Sequence, residues 1–289
     1  MYRICAVVVT YKRREMLRHC LSALLRQTQP IDHIVVVDNA SSDGTVEMVQ
    51  QVFPNVAVLP LAENLGGAFG FHEGIRWALA HDADYIWAMD DDAVPLTDCL
   101  EQLCAQARPD CVAVPVLRDP GGLCYGLGVW NNRWVHVTPD VMAGKPIEGR
   151  PTFAFVGPLL PVQVVRKVGL PEKRFFIWFD DLQYSLRILD ANYQIKHVPE
   201  AICVHPSRFI RKRRNPEPVW MLYYGVRNMT YTLVRDRRIP AEIFWHFSLQ
   251  ARAIAADTVY GPDRVARFKT RILAMVHGLC GKLGKRQAA

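Results

Sequence analysis

Tyr85-Ile86-Trp87-Ala88-Met89-Asp90-Asp91-Asp92-Ala93 is the stretch on which the reading of this chain turns. Five residues suited to a buried strand run directly into three consecutive carboxylates, which places the acids where a strand leaves a sheet. Three anions a few ångströms apart repel unless a cation lies among them, and a hard divalent ion bridging to a phosphate is the usual answer. A solvated acidic turn is the alternative. The apolar lead-in, and a second acidic pair at Asp180-Asp181, favour a metal site.

Upstream, strands and helices alternate. Ile4 to Thr10 is an apolar, β-branched run, and Met16, Leu17, Cys20, Leu24 and Leu25 follow at helical spacing. Ile34 to Val37 is a strand ending at Asp38, and Ser41-Ser42-Asp43-Gly44 offers caps for a helix through Val52. A strand from Val56 to Leu59, the glycine-bearing loop Asn64 to Phe71 and a helix to about His81 lead to the acidic strand. This order builds an α/β domain with a mostly parallel sheet and helices on both faces. Ligands of such sheets bind beyond the carboxyl ends of the strands. Thr10, Asp38 and Asp90 to Asp92 all fall there.

Downstream, Leu96 to Ala107 reads as a helix and Cys111 to Leu117 as a strand. Gly121 to Val137 reads as a β-hairpin or loop insertion whose Tyr125, Trp130 and Trp134 either form a sugar platform or pack over the sheet. In Phe153 to Gly157 the glycine permits close approach of backbone to a ligand. Phe175 to Phe179 then sets bulky apolar residues before Asp180-Asp181 and a helix bearing Leu182, Leu186 and Leu189. Acids at a helix start are stabilised by its dipole, but a carboxylate held against aromatic surface also binds protons more tightly and makes a better general base. Ala201 to Val204 is a short strand ending at His205, structural or a metal ligand.

Several classes drop out. The first strand-to-helix turn, Thr10 to Arg14, lacks the Gly-x-Gly-x-x-Gly of a dinucleotide site, and no Gly-x-x-x-x-Gly-Lys-Ser/Thr loop occurs. Asp38 is as suited to capping the next helix as to touching a ligand, and Gly66-Gly67 to a turn as to a phosphate. The 289 residues, half of them hydrophobic, hold a sizeable core. No run is long enough to cross a bilayer and no leader precedes the first strand, so a cytoplasmic protein is expected. The eight cysteines form no Cys-x-x-Cys pair, so neither disulfides nor zinc is expected.

Val7 to Tyr11 (Val-Val-Val-Thr-Tyr), Val36 to Thr45 (Val-Val-Asp-Asn-Ala-Ser-Ser-Asp-Gly-Thr), Asn64 to Gly67 (Asn-Leu-Gly-Gly), the triple aspartate, Trp178 to Asp181 and His205 together resemble glycosyltransferase family 2, of GT-A fold, over about residues 2 to 206. Within it, Asn-Leu-Gly-Gly-x-x-Gly-Phe and Asp-Asp-Asp-Ala look most similar to galactofuranosyl- and rhamnosyltransferases of bacterial cell-envelope polysaccharides. The resemblance implies a metal-dependent inverting transfer, with Mn2+ or Mg2+, from a UDP- or dTDP-sugar to a saccharide or lipid-linked acceptor. It implies that Thr10 and Asp38 hold the nucleoside, with Asn64, Gly67, Asp90 and Asp91 also on the nucleotide. Asp92 and His205 would hold the metal, Asp181 would be the base, and Trp178 and Asp180 would meet the acceptor.

The formal charge of +7 belongs to the end of the chain, so residues 207–289 are read as a basic, mainly helical region after a transferase domain at 1–206. Arg208, Arg211, Lys212, Arg213 and Arg214 form a solvated loop or an anion-binding lid. Tyr223, Tyr224, Arg227 and Asn228 are a combination also seen in the resembled transferases. Helices are expected over Pro240 to Tyr260 and Arg264 to Leu283; the second sets Val265, Phe268, Ile272, Met275, Val276 and Leu279 in a row beside many cations. That row suits an anionic membrane surface, the chain's own domain or a second subunit. Nucleic acid is disfavoured as a partner, because the acidic crevice repels a polyanion and no recognition element accompanies the arginines.

Overall fold

The computed structural model describes residues 2–122, 124–125, 127–131, 134–137, 149–206, 218–260 and 263–286. Its first half follows the expected alternation: β1 (Ile4–Thr10), α1 (Arg14–Leu24), β2 (His33–Asp38), α2 (Thr45–Val52), β3 (Ala57–Pro60), α3 (Gly67–Leu79) and β4 (Tyr85–Asp90). A short β5 (Val94–Pro95), α4 (Cys99–Ala105) and β6 (Cys111–Arg118) follow. Next come β7 (Cys124–Tyr125), β8 (Leu127–Trp130), β9 (Trp134–Val137), β10 (Arg150–Thr152) and β11 (Val156–Pro161). Then α5 (Val162–Val168), α6 (Asp180–Asp190) and β12 (Gln194–Val204) complete the sheet region.

The main sheet runs β3-β2-β1-β4-β11-β6-β12-β5, with β7 paired to β6. β3, β2, β1 and β4 are mutually parallel, as are β6 and β12. The sheet is mixed, because β11 enters antiparallel between β4 and β6. Neither β11 nor α5 stands out in the sequence: the apolar run of Val156 to Val168 passes from strand to helix with no polar break before Gln163. Period-two alternation feeds two cores. Ile4, Ala6 and Val8 pack with Leu17, Leu21 and Leu100, while Cys5, Val7 and Val9 pack with Ile75, Val165 and Ile188.

The insertion contains the expected hairpin, β8 against β9, extended by β10. Trp130 is buried and donates to Glu242 Oε1 at 2.6 Å, so this aromatic packs inward and is no sugar platform. Gly157 serves the fold as well. At φ +90° its carbonyl accepts from Trp87 Nε1, and a Cβ would lie 3.0 Å from Pro115 Cγ. The cluster Arg208 to Arg214 lies outside the described residues.

The chain ends in α7 (Val219–Tyr231), a π-helical turn over Thr232–Arg237, α8 (Pro240–Tyr260) and α9 (Arg264–Cys280). α7 and the turn after it join the body through Met229 and Leu233, which pack with Trp130, Leu182 and Leu186. The next two helices are inverted relative to an ordinary surface helix. α8 buries Glu242, His246 and Gln250, spaced by four, and α9 buries Arg267, Thr270 and Arg271 together with Ala274 and Gly278, while Met275, expected in the apolar row, packs inward against the cluster of Tyr223 and Tyr224. Four of these polar groups meet partners: Arg237 donates to both Glu242 oxygens at 2.6 and 2.7 Å, Thr230 Oγ1 lies 2.8 Å from His246 Nε2, and Arg271 donates to Gln250 at 2.9 Å. Phe244, 76% exposed, Val265, 66% exposed, and Leu249, Phe268, Ile272, Val276 and Leu279 face outward. Among the described residues no helix is long and apolar enough to cross a membrane.

Candidate active site

The register of the parallel strands sets Thr10 beside Asp38 and Val9 beside Asp90, so three strand ends finish level. Beyond them the three aspartates take different surroundings. Asp91 turns inward and is nearly buried; it accepts from Thr10 Oγ1 at 2.7 Å and from Arg13 Nη1 at 3.1 Å. The same Arg13 nitrogen donates to Asp92 Oδ2 at 2.8 Å. His205 follows β12, which β5 holds at this end of the sheet, and its Nε2 stands 3.1 Å from Asp92 Oδ1. Sequence reasoning gives Arg13 no part in the site. Its one signal is position: a cation just after the first strand, at the mouth of a crevice holding three acids.

Asp90, Asp92 and His205 each present one ligand atom, all within 4.8 Å of one another. Burial, and then the charge of Asp92, push the Asp90 carboxyl up to about 8. Burial likewise raises Asp91, against the lowering effects of Arg13 and Thr10. Two carboxylate oxygens and an imidazole nitrogen, so crowded that one acid keeps its proton near neutrality, fit a hard divalent cation such as Mn2+ or Mg2+.

The second acidic pair is carried on an unusual backbone. Phe176, Trp178 and Phe179 all have positive φ, at 66°, 70° and 63°, which bulky residues avoid unless the surroundings impose it. Those turns bring Asp180 and Asp181 to the N-terminus of α6, where the helix dipole favours anions. Asp180 is buried, and burial followed by the charge of Asp181 pushes its carboxyl up to about 8. Asp181 is less covered; burial raises it to about 6, while the backbone N–H of Leu182, 2.7 Å from its Oδ1, pulls it down. One acid of the pair stays protonated while the other ionises near neutrality, which is the condition for a base.

Both acidic groups open on one cavity of about 910 Å³. Its wall includes Thr10, Asn64, Gly67, Asp90, Asp91, Trp178, Asp180, Asp181 and His205. Gly67 leaves open space where a side chain would be, whereas Gly66, at φ +87°, has no room: a Cβ would lie 2.0 Å from the carbonyl oxygen of Phe176. Asp38 and Asp92 are not part of that wall. Asp38 does not cap α2, whose N-cap is Gly44; its Oδ2 accepts from the Ser41 N–H at 2.9 Å. The other oxygen, Asp38 Oδ1, and Asn39 Oδ1 beside it are buried with no hydrogen-bond partner among the described residues. Asn39 does line the cavity, although its residue type alone does not distinguish it from the polar residues that follow. Away from the acids the wall becomes apolar, with Trp220, Leu222, Val226, Met229, Trp245 and Leu249 from the last helices.

Residues 5–136 match the model of glycosyl transferase family 2. The galactofuranosyltransferase GlfT1 of Mycolicibacterium smegmatis is 34% identical over 279 residues, covering 87% of this chain and 92% of that protein. The chain belongs to glycosyltransferase family 2. Within the family it groups with galactofuranosyl- and rhamnosyltransferases. The N-acetylglucosaminyl-diphospho-decaprenol L-rhamnosyltransferase of Mycobacterium tuberculosis is 28% identical over 230 residues, with 69% of this glycosyltransferase and 74% of that one covered. The fold is GT-A: the mannosyltransferase PcManGT from Pyrobaculum calidifontis, solved with GDP-Man and Mn2+, superposes at a TM-score of 0.61 with 20% identity, over 97% of this chain and 88% of that one.

Proposed function

We propose that this glycosyltransferase moves a sugar, galactofuranose favoured, from a nucleotide diphosphate donor to a saccharide or lipid-linked acceptor of the bacterial cell surface, with inversion. The observation that carries the reading is the common cavity: Asp90 and His205 from the metal-binding triad line the same wall as Asp181, whose proton affinity suits a base. Residues 1–206 would supply the chemistry, and 207–289 the acceptor end of the cavity.

Asp90, Asp92 and His205 would hold a divalent cation, which when bound neutralises charge building on a diphosphate leaving group. Arg13 keeps Asp91 and Asp92 together, and Thr10 fixes Asp91. Asp38 Oδ1 and Asn39 Oδ1, buried acceptors without donors among the described residues, offer a partner for the single N3–H of a uracil or thymine base. Asp181 takes the proton of an acceptor hydroxyl, and a single displacement from the opposite face inverts the anomeric carbon. Galactofuranose is favoured over rhamnose by the greater likeness to the galactofuranosyltransferase, and dTDP-rhamnose is the second donor to try. Nucleotide release should be fastest with a UDP-furanose among UDP- and dTDP-sugars, in Mn2+ or Mg2+. Release with none of them, despite nucleotide binding, would make the protein a non-catalytic sugar-nucleotide binder.

The exposed apolar residues of α8 and α9 support peripheral attachment to the inner face of the cell membrane: Phe244, Val265, Phe268, Ile272 and Val276 are exposed on the same two helices as Arg252, Arg264 and Lys269. The chain is expected to sediment with anionic vesicles at low salt, with Phe268→Asp and Val265→Asp weakening that binding. Equal recovery in the supernatant with and without vesicles would remove the membrane from the reading.

A further inference from the structure

Four carbonyls in a row precede the acidic pair, and each is held from outside the loop. Phe176 O accepts from the Ala68 N–H at 3.2 Å, on the side of Asn64 and Gly67. The other three face α7. Asn228 Nδ2 stands 3.1 Å from Phe175 O, 3.0 Å from Ile177 O and 2.7 Å from Trp178 O, and Arg227 Nη2 donates to Phe175 O at 2.8 Å. Both side chains are buried, and Arg227 Nε in turn donates to Asn228 Oδ1 at 2.9 Å. That bond fixes which end of the Asn228 amide meets the carbonyls. Arg227 is itself seated against Tyr223 and Tyr224, its guanidinium 5.4 and 4.9 Å from their ring centres.

A polar pair this deep inside apolar surroundings is costly unless it meets specific partners, and here the partners are the backbone of one short segment and, for Arg227, also the Gly284 carbonyl at 2.6 Å. That segment has three bulky residues at positive φ and ends at Asp181. Left to itself it would relax to extended or right-handed helical backbone and carry the acids away. We propose that Asn228, supported by Arg227, is a positioning residue for the transfer reaction: it holds Phe175 to Phe179 in the conformation that aims Asp180 and Asp181 into the cavity. The proposal deepens the transferase reading above and rests on it.

Asn228→Asp tests it in the full-length chain, because it keeps the size of the side chain and replaces the donating NH2 by an oxygen facing three carbonyl oxygens; Asn228→Ala and Arg227→Lys accompany it. Transfer is expected to show kcat lower by about 10²-fold in Asn228→Asp, as a displacement of roughly 1 Å can do, with donor KM changed by less than about threefold. Amides of Phe175 to Asp181 should exchange with solvent at least about tenfold faster, while those of β1 and β4 stay as protected as before. Arg227→Lys, which keeps the charge but loses the fork, should fall between. Unchanged kcat with unchanged exchange, a loss carried in donor KM, or a loss matching the unfolded fraction by circular dichroism would each overturn the assignment. The exchange arm needs no turnover. Absence of transfer in the unmodified chain therefore counts against the transferase reading, while exchange still decides whether Asn228 holds the segment.

Discussion

Replacing Asp181 by Asn is expected to leave the nucleotide sugar bound and to lower transfer by about 10²- to 10⁴-fold, the span expected when a positioned base is lost. The substitution keeps the shape of the side chain and its place at the start of α6, so an effect on folding is not anticipated. Calorimetric titration with the nucleotide and metal checks the first half, and initial rates the second. The pH profile adds a signed test. A base must be ionised, and burial raises Asp181 to about 6, so kcat/KM should climb about tenfold per pH unit below that value and level off above it. The neighbouring Asp180, raised further still, remains protonated across that limb and adds no second anion. A profile flat down to pH 4.5, or a variant with near-normal rates, removes Asp181 from the mechanism.

Asp92→Asn should be nearly as damaging, by another route. Asp92 faces His205 on one side and Arg13 on the other, and an amide offers the cation a weaker, neutral oxygen. Metal affinity measured with nucleotide present is expected to fall at least about 10- to 100-fold and turnover by about 10²- to 10³-fold. Excess Mn2+ should recover part of the rate, whereas Asp181→Asn gains nothing from it. Metal affinity equal to that of the unmodified chain would mean that the triad does not hold the ion.

Much of this site was legible in the order of residues. Tyr85 to Asp92 and Phe175 to Asp181 each couple an apolar run to adjacent acids, and such an abrupt change of polarity marks a strand or helix end wherever the chain folds. Thr10, Asp38 and Asp90 could be placed together because parallel strands align their carboxyl ends. Other parts depend on distance rather than pattern. β11 reverses direction inside a parallel region, and nothing in Val156 to Pro161 records which neighbours it will take. Arg13 is one cation among several near the first turn until Asp91 and Asp92 are seen beside it. Asn228 belongs to a combination that the resembled transferases share, but its task has no sign in the sequence until the carbonyls of Phe175, Ile177 and Trp178 appear against it. For α8 and α9 the sequence shows two faces, but only the contacts of Glu242 and His246 with Trp130, Thr230 and Arg237, and of Arg271 with Gln250, tell which faces inward.

The last described residues close a circuit through this region. Gly284 is bonded to both Arg174 and Arg227, Lys285 reaches the carbonyl of Asn64, and the N–H of Arg286 meets the Tyr224 hydroxyl. The sheet and its aspartates leave the ribosome long before those contacts can form. A nascent chain still lacking Gly284 to Arg286 would leave Arg227, Asn64 and Tyr224 without these braces. Truncation just ahead of Gly284 would reproduce that immature state in a released protein.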